Sequence, residues 1–309
     1  MKFHNSIKKK LQISAAHAQF LFWIVLNVSH QANTDINQRS KTGERLSESM
    51  NKSEKYAVVT GASSGIGWHI SRELAIRGYS VVAVSNQPEQ LNNLKSELEE
   101  AYQIDVQTLD CDLSETGAAE SIFDFCQQKD LQVDVLVNNA GMFVYGEVVG
   151  ADTEKVRSIL QLHMNTPVML CRFFGDFMAK NHMGYILNVS SISAVMPYPT
   201  ISLYGPTKTF LRKFTRALRT ELKETGVNVL CLLPGATATA LYDTKNINLS
   251  LAMRSGIMKK PEVVAKAGVK ALFKRRAECI PGLLNKFVMR LMPLIPNSLI
   301  ACIYRKTKK

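Results

Sequence analysis

The run Thr60-Gly61-Ala62-Ser63-Ser64-Gly65-Ile66-Gly67 constrains the fold of this chain more than any other stretch. The residues that lead into it, Tyr56-Ala57-Val58-Val59-Thr60, are apolar or β-branched, the pattern of a buried strand. Residues 66–77 then follow a helical period and stop at Gly78, a common helix-ending signal. A glycine turn between a strand and a helix suits a bound anion. Glycine lets the backbone approach closely and adopt positive φ, and the helix N-terminus supplies free N–H groups and a favourable dipole.

The alternation continues along the chain. Strand patterns at 80–84, 106–109, 133–137, 185–189 and 227–233 alternate with helical patterns over 89–102, 118–128, 153–180 and 204–225. Apolar strands separated by helices predict an α/β chain: a single doubly wound Rossmann domain over residues 55–280. Its parallel sheet should have about seven strands, with helices on both faces.

Two tails flank that domain. Residues 1–54 place Lys8-Lys9-Lys10 before a short apolar patch, residues 20–26, and then a polar stretch. Two readings stand side by side: a disordered or untranslated extension, with translation starting at Met50, or a membrane-directing segment. The patch is well short of the ~20 residues that span a bilayer. Residues 281–309 form a basic, apolar tail. Its apolar positions, Leu283, Leu284, Phe287, Val288, Leu291, Leu294 and Ile295, recur at helical spacing. Such a helix packs on the body, lids an apolar cleft, or lies on an anionic membrane.

The net charge of +12 belongs mostly to these tails: +4 on residues 1–54, +6 on 281–309 and only +2 on the body between them. A nucleic-acid-binding protein would carry a basic stripe across its body, so that class is set aside. The 6 cysteines have no metal-ligand spacing, and no metal is expected.

Chemistry enters with Tyr204 and Lys208, which four-residue spacing puts on one helix face. An ammonium beside a phenol lowers the phenol's pKa, and a phenol so tuned exchanges protons near neutral pH. Pro206 lacks an N–H, which fits a helix that starts near Tyr204. Ser191 stands 13 positions before Tyr204.

In these features the chain resembles the short-chain dehydrogenase/reductase superfamily, in its compact branch. The resemblance rests on Thr60–Gly67, Asp112-Leu113, Asn138-Asn139-Ala140-Gly141, Asn165, Asn188–Ser191, Tyr204-x-x-x-Lys208 and Pro234-Gly235-x-x-x-Thr239. It implies that Tyr204 is the general acid/base, that Ser191 hydrogen-bonds the substrate carbonyl, and that Lys208 binds the nicotinamide ribose and depresses the tyrosine pKa. Asn165 would support a proton relay to Lys208. The implied cofactor cleft is formed by Gly61, Ser63, Ser64, Gly65, Ile66 and Gly67, by Ser85, Asn86 and Asp112, and by Asn139, Ala140 and Gly141. Pro234, Gly235, Thr237 and Thr239 complete it, with Tyr204 and Lys208. Asp112 would meet the adenine, and it also suits a helix cap.

The position after the second strand holds Ser85-Asn86-Gln87. The carboxylate that anchors the ribose 2′-OH of NAD is missing there, which favours NADP(H) over NAD(H). The apolar segment Leu241–Met258 and the apolar tail lie where this family usually shapes its substrate cleft, so the expected function is an NAD(P)-dependent oxidoreductase acting on a small apolar ketone, aldehyde or acyl-chain carbonyl. A non-catalytic NADP-binding regulatory or scaffold protein is the alternative, and an epimerase or dehydratase a third reading. The family pattern implies a homodimer or homotetramer; the expected location is cytoplasmic, with peripheral membrane contact through the tails as an open alternative.

Overall fold

The computed structural model describes residues 54–239 and 258–307. The N-terminal segment before Glu54 and residues 240–257 lie outside the described residues, and with them the expectations placed on residues 1–53 and most of the apolar stretch 241–258.

The strands are β1 (Lys55–Thr60), β2 (Ser80–Ser85), β3 (Val106–Asp110), β4 (Gln132–Asn138), β5 (Gly184–Val189), β6 (Val227–Leu232) and β7 (Glu278–Cys279). They form one parallel sheet in the order β3-β2-β1-β4-β5-β6-β7. The order reverses between β1 and β4, so a crevice opens at their C-terminal ends, where doubly wound sheets bind ligands. The first six strands fall within a residue or two of the sequence expectation. The seventh is only 2 residues long.

The helices are α1 (Gly65–Ala75), α2 (Pro88–Tyr102), α3 (Ala118–Gln128), α4 (Thr153–Leu160), α5 (Thr166–Lys180), α6 (Tyr204–Glu221), α7 (Pro261–Phe273), α8 (Leu283–Leu291) and α9 (Asn297–Thr307). Side chains alternate across each strand, and the two sets bury separate cores. Ala57, Val59, Val81, Ala83, Val135 and Leu230 pack under α1, α2 and α7. Val58, Val82, Val84, Leu136, Ile186 and Val229 pack under α3 and α5, with Phe214 and Leu218 of α6. Both faces are therefore covered, which is why these strands read as unbroken apolar runs.

The helix expected over 153–180 is two helices joined by a π-helical turn, Gln161–Asn165. The turn holds one more residue than an α-helical turn, and such turns concentrate at functional sites. Helix α6 begins at Tyr204 with Pro206 in its first turn, as expected. Its end tightens into a 3-10 turn, Lys223–Thr225, before Gly226 at φ 80°.

The tail neither covers the body fully nor leaves it. Asn285 and Met289 of α8 are buried, while Leu283, Leu284, Phe287 and Leu291 of the same helix are exposed. Asn285 sits under Gly235, where an added Cβ would come within 2.4 Å of the amide oxygen.

Candidate active site

A cleft of about 500 Å³ opens at the C-terminal ends of the central strands. One wall is the β1–α1 turn. Gly61 and Gly65 there have φ of 63° and 56°, a left-handed backbone that a side chain would strain. Asn139 staples this turn to β4: its Nδ2 donates to the carbonyls of Thr60 (2.9 Å) and Gly61 (3.1 Å). Thr60 completes the staple, its Oγ1 accepting from the Asn139 and Ala140 amides at 3.0 and 3.1 Å. Gly67 is required inside the turn, since a Cβ would lie 2.1 Å from the Gly61 carbonyl oxygen.

Every expected site residue lines the cleft except Gly67 and Asn165. Gly67 lies behind it, for the reason just given. Asn165 is a correction. It is exposed at the end of the π turn, and its Nδ2 donates to Gln161 Oε1 at 2.8 Å. It faces away from Lys208, so the relay assigned to it has no geometry here.

The π turn turns two residues inward, Leu162, which lines the cleft, and His163, which is 1% exposed. Its Nε2 accepts from the Met142 amide at 3.0 Å. A neutral ring must then carry its proton on Nδ1, which donates to Thr207 Oγ1 at 3.0 Å. The Thr207 hydroxyl in turn donates to the Tyr204 carbonyl at 2.9 Å. Burial, and then the Lys208 charge, hold this imidazole well below its usual pKa. The ring meets Tyr204 edge-on, with centroids 5.7 Å apart. A Cβ on Gly141 would lie 3.0 Å from His163 Nε2 and 3.4 Å from Lys208 Nζ, so both nitrogens lie close against Gly141. A signal for His163 was present in the sequence. Ile159, His163, Pro167, Leu170 and Phe174 form one buried stripe at helical spacing, and Asn165 falls off it.

Tyr204 and Lys208 come from the first turns of α6. The Lys208 Nζ lies 5.9 Å from the Tyr204 ring centroid and donates to the Val189 carbonyl at 3.2 Å. Burial, partly offset by Cys231, lowers the Lys208 pKa to about 8. Ser190 fixes the helix from the sheet side, its hydroxyl donating to the Lys208 carbonyl at 2.7 Å. Ser191 follows β5 and caps a 3-10 turn, Ile192–Val195, its Oγ accepting from the Ser193 amide at 3.1 Å. That leaves the Ser191 proton for a ligand in the cleft. Met142, Phe143 and Leu162 supply an apolar wall beside Tyr204.

At the far end of the cleft the Ser85 hydroxyl donates to Ser63 Oγ at 2.9 Å, and Asn86 Nδ2 donates to Asp112 Oδ2 at 3.1 Å. Asp112 is also held by the amide and hydroxyl of Ser114. These bonds from Ser114, and then that from Asn86, keep its carboxyl below the usual range. It therefore does double duty, closing a local turn and lining the cleft. On the opposite wall, Thr239 meets Gly65 so closely that a Cβ there would lie 2.8 Å from its Cγ2.

The cleft fits a dinucleotide. Its glycine wall has no room for side chains, and the α1 N-terminus carries no side-chain cap to compete with a phosphate for its N–H groups. Among the described residues no His/Cys/Asp/Glu group has the arrangement of a metal site.

The chain matches the family model described as short chain dehydrogenase over residues 55–249. It is 30% identical over 234 residues to the very-long-chain 3-oxoacyl-CoA reductase-A of Danio rerio, covering 72% of each chain. The fold superposes on a solved 7beta-hydroxysteroid dehydrogenase with a TM-score of 0.71, at 26% identity, over 77% of this chain and 91% of that one. A short-chain dehydrogenase from Sphingobium yanoikuyae in complex with NADPH matches with a TM-score of 0.68, at 25% identity, over 79% and 96%.

Proposed function

The chain belongs to the short-chain dehydrogenase family and is an oxidoreductase, and on that footing we propose that it reduces an apolar carbonyl with NADPH in preference to NADH. The observation that carries the reading is the convergence of Ser191, Tyr204 and Lys208 on a cleft that joins a glycine cradle to an apolar wall. The favoured substrate class is a 3-oxoacyl thioester or a ketone of similar apolarity. The named relatives act on such molecules, and Met142, Phe143 and Leu162 would receive the apolar portion.

The nicotinamide would lie against Gly141, Tyr204, Lys208 and the Pro234–Thr239 loop, and when bound it supplies the hydride. The remaining steps fall to side chains. The Ser191 hydroxyl donates a hydrogen bond to the substrate oxygen and holds the carbonyl in place. As negative charge builds on that oxygen, the Tyr204 phenol transfers its proton to it. The Lys208 ammonium makes this transfer easier by stabilising the phenolate left behind. His163 acts behind the wall as a positioning residue. It ties Met142, on the cleft floor, to Thr207 and so to the first turn of α6. Being neutral, it adds no second charge beside Lys208.

Preference for NADP(H) rests on the end of β2. Ser85 and Asn86 offer polar groups there, and the nearby carboxylate, Asp112, is already engaged by Ser114 and Asn86. The catalytic unit is residues 55–280 with 281–309 as its tail, and we take the enzyme to be a cytoplasmic homodimer or homotetramer. The test is oxidation of NADPH and of NADH by purified full-length protein, with 3-oxoacyl thioesters of increasing chain length and a panel of ketosteroids. The expected result is a kcat/KM that rises with apolar length and is higher with NADPH. Failure to oxidise either nucleotide with any substrate would end this reading, while a preference for NADH would overturn only the cofactor assignment.

A further inference from the structure

A second cavity, of about 800 Å³, lies at the β7 edge of the sheet, outside the reaction cleft. Six of its lining residues are cationic: Arg212 from α6, Lys270 and Lys274 from the end of α7, Arg276 from the turn after it, and Lys286 and Arg290 from α8. Its one carboxylate, Glu278, is taken up by a two-point contact with Arg212, at 2.9 and 3.1 Å. Five cations are left facing one space, and nothing in hydride transfer uses them.

Helix α8 ties this cavity to an unusual surface. Around the helix, Asn285 and Met289 are buried, and Met289 lines the cavity together with Lys286 and Arg290. The next arc carries Leu283, Phe287 and Leu291, with Leu284 beside them. Leu283 is 83% exposed and Phe287 61% exposed. Leu294 continues this apolar surface, and Leu299 and Ile303 of α9 are also exposed. An apolar arc left in water beside a row of cations is the arrangement of a helix that lies in a membrane interface. Among the described residues no single helix is long and apolar enough to cross a bilayer; Leu283–Leu294 and Asn297–Lys306 pass that test only together, as a pair bent by 107°.

We infer that this face is a docking site for an anionic phospholipid surface, with phosphate headgroups in the cationic cavity and the α8 apolar arc in the acyl boundary. Charge decides against a second copy of the chain as occupant. A two-fold contact through this face would bring two cationic cavities together. An anionic bilayer meets both requirements at once, by charge for the cavity and by hydrocarbon for Leu283, Phe287 and Leu291.

The test is co-sedimentation of the full-length protein with vesicles of phosphatidylcholine alone and with vesicles that also contain phosphatidylserine. The expected result is binding to the anionic vesicles only, weakened by salt. Each cation near such a surface is worth about a factor of five, so Lys286→Gln with Arg290→Gln should lower partition about 25-fold. Phe287→Ser with Leu291→Ser should lower it as well. Lys270→Gln on α7 with Lys274→Gln just after it repeats the charge test should the α8 variants fail to fold. Turnover of a short soluble ketone should be unchanged throughout, which separates this inference from the proposed function. Equal binding to neutral vesicles, or charge variants that bind as the parent does, would overturn it. So would calorimetric binding of inorganic phosphate without vesicle binding, or an oligomer that the charge variants split.

Discussion

Replacing Lys208 with methionine tests the electrostatics of the reaction cleft without a substrate. Lys208 is buried, its ammonium touches the Val189 carbonyl, and its pKa falls from 10.5 to about 8. A tenfold change in proton affinity is worth about 1.4 kcal/mol, so keeping this charge inside the folded protein costs roughly 3 kcal/mol at neutral pH. The sign follows from proton counts. Below pH 8 the folded and unfolded states both hold the proton, and the folded state carries the full penalty. Between about 8 and 10.5 the unfolded chain binds more protons than the folded one, so stability rises with pH as the penalty is released. Methionine keeps most of the side-chain volume and carries no charge. It also leaves the Val189 carbonyl without its donor, at a cost of about 1 kcal/mol. The nucleotide-free variant should therefore be about 2 kcal/mol more stable than the parent at pH 7. At pH 10.5 it should have lost that advantage, because the gap moves by roughly 3 kcal/mol. Urea unfolding of both proteins at the two pH values measures this directly, and shared titrations cancel in the difference. A gap that stays constant between the two pH values would refute the burial argument. NADPH binding by the variant should be weakened, so the substitution exchanges binding for stability.

Tyr204→Phe should lower kcat by about 10²- to 10⁴-fold while leaving NADPH affinity near the parent value, as steady-state kinetics and a fluorescence titration would measure. Asn86→Arg adds a guanidinium beside the Ser85 end of the cleft and should raise the preference for NADPH over NADH about tenfold in binding assays. His163→Leu should reduce kcat about tenfold with little change in the KM for NADPH, since it removes both bonds that hold Met142 to α6. His163→Gln, whose amide oxygen can take the place of Nε2 and still accept from the Met142 N–H, should recover part of the loss; equal loss in both variants would argue against a positioning role.

Much of this architecture is legible in the sequence because it is local. The glycine turn, the apolar strands and the Tyr204–Lys208 pair each depend on neighbours a few residues away. Part of what was not legible depends on partners far along the chain, and part on a local irregularity. Strand β7 is two residues of Glu278–Cys279 paired with Cys231 and Leu232, too short for any periodic signal. Asn165 matched a family pattern, yet the π turn rotates it into solvent and brings His163 inward. The tail pattern from 283 onward announced a helix but not its orientation. That orientation comes from Asn285, which docks under Gly235 and donates to the Pro281 carbonyl at 2.7 Å.

The π turn also fixes the length of a helix in a way that its chemistry does not. An α-helix advances about 100° per residue, so the one extra residue in Gln161–Asn165 offsets the phase of α4 against α5 by about that angle. Ile159 on one side packs with Val144 and Tyr204, while Leu170 and Phe174 on the other pack into the core under α3. Deleting one residue within the turn, even an exposed one such as Asn165, would return it to a regular α-helix with both flanks unmoved, whereas deleting one within α4 or α5 would rotate a buried stripe by about 100°. Substitutions on the outer surface of this helix should be accepted freely, whereas gaps in α4 or α5 should not. The turn behaves as a slack link, able to release one residue without moving the helices on either side.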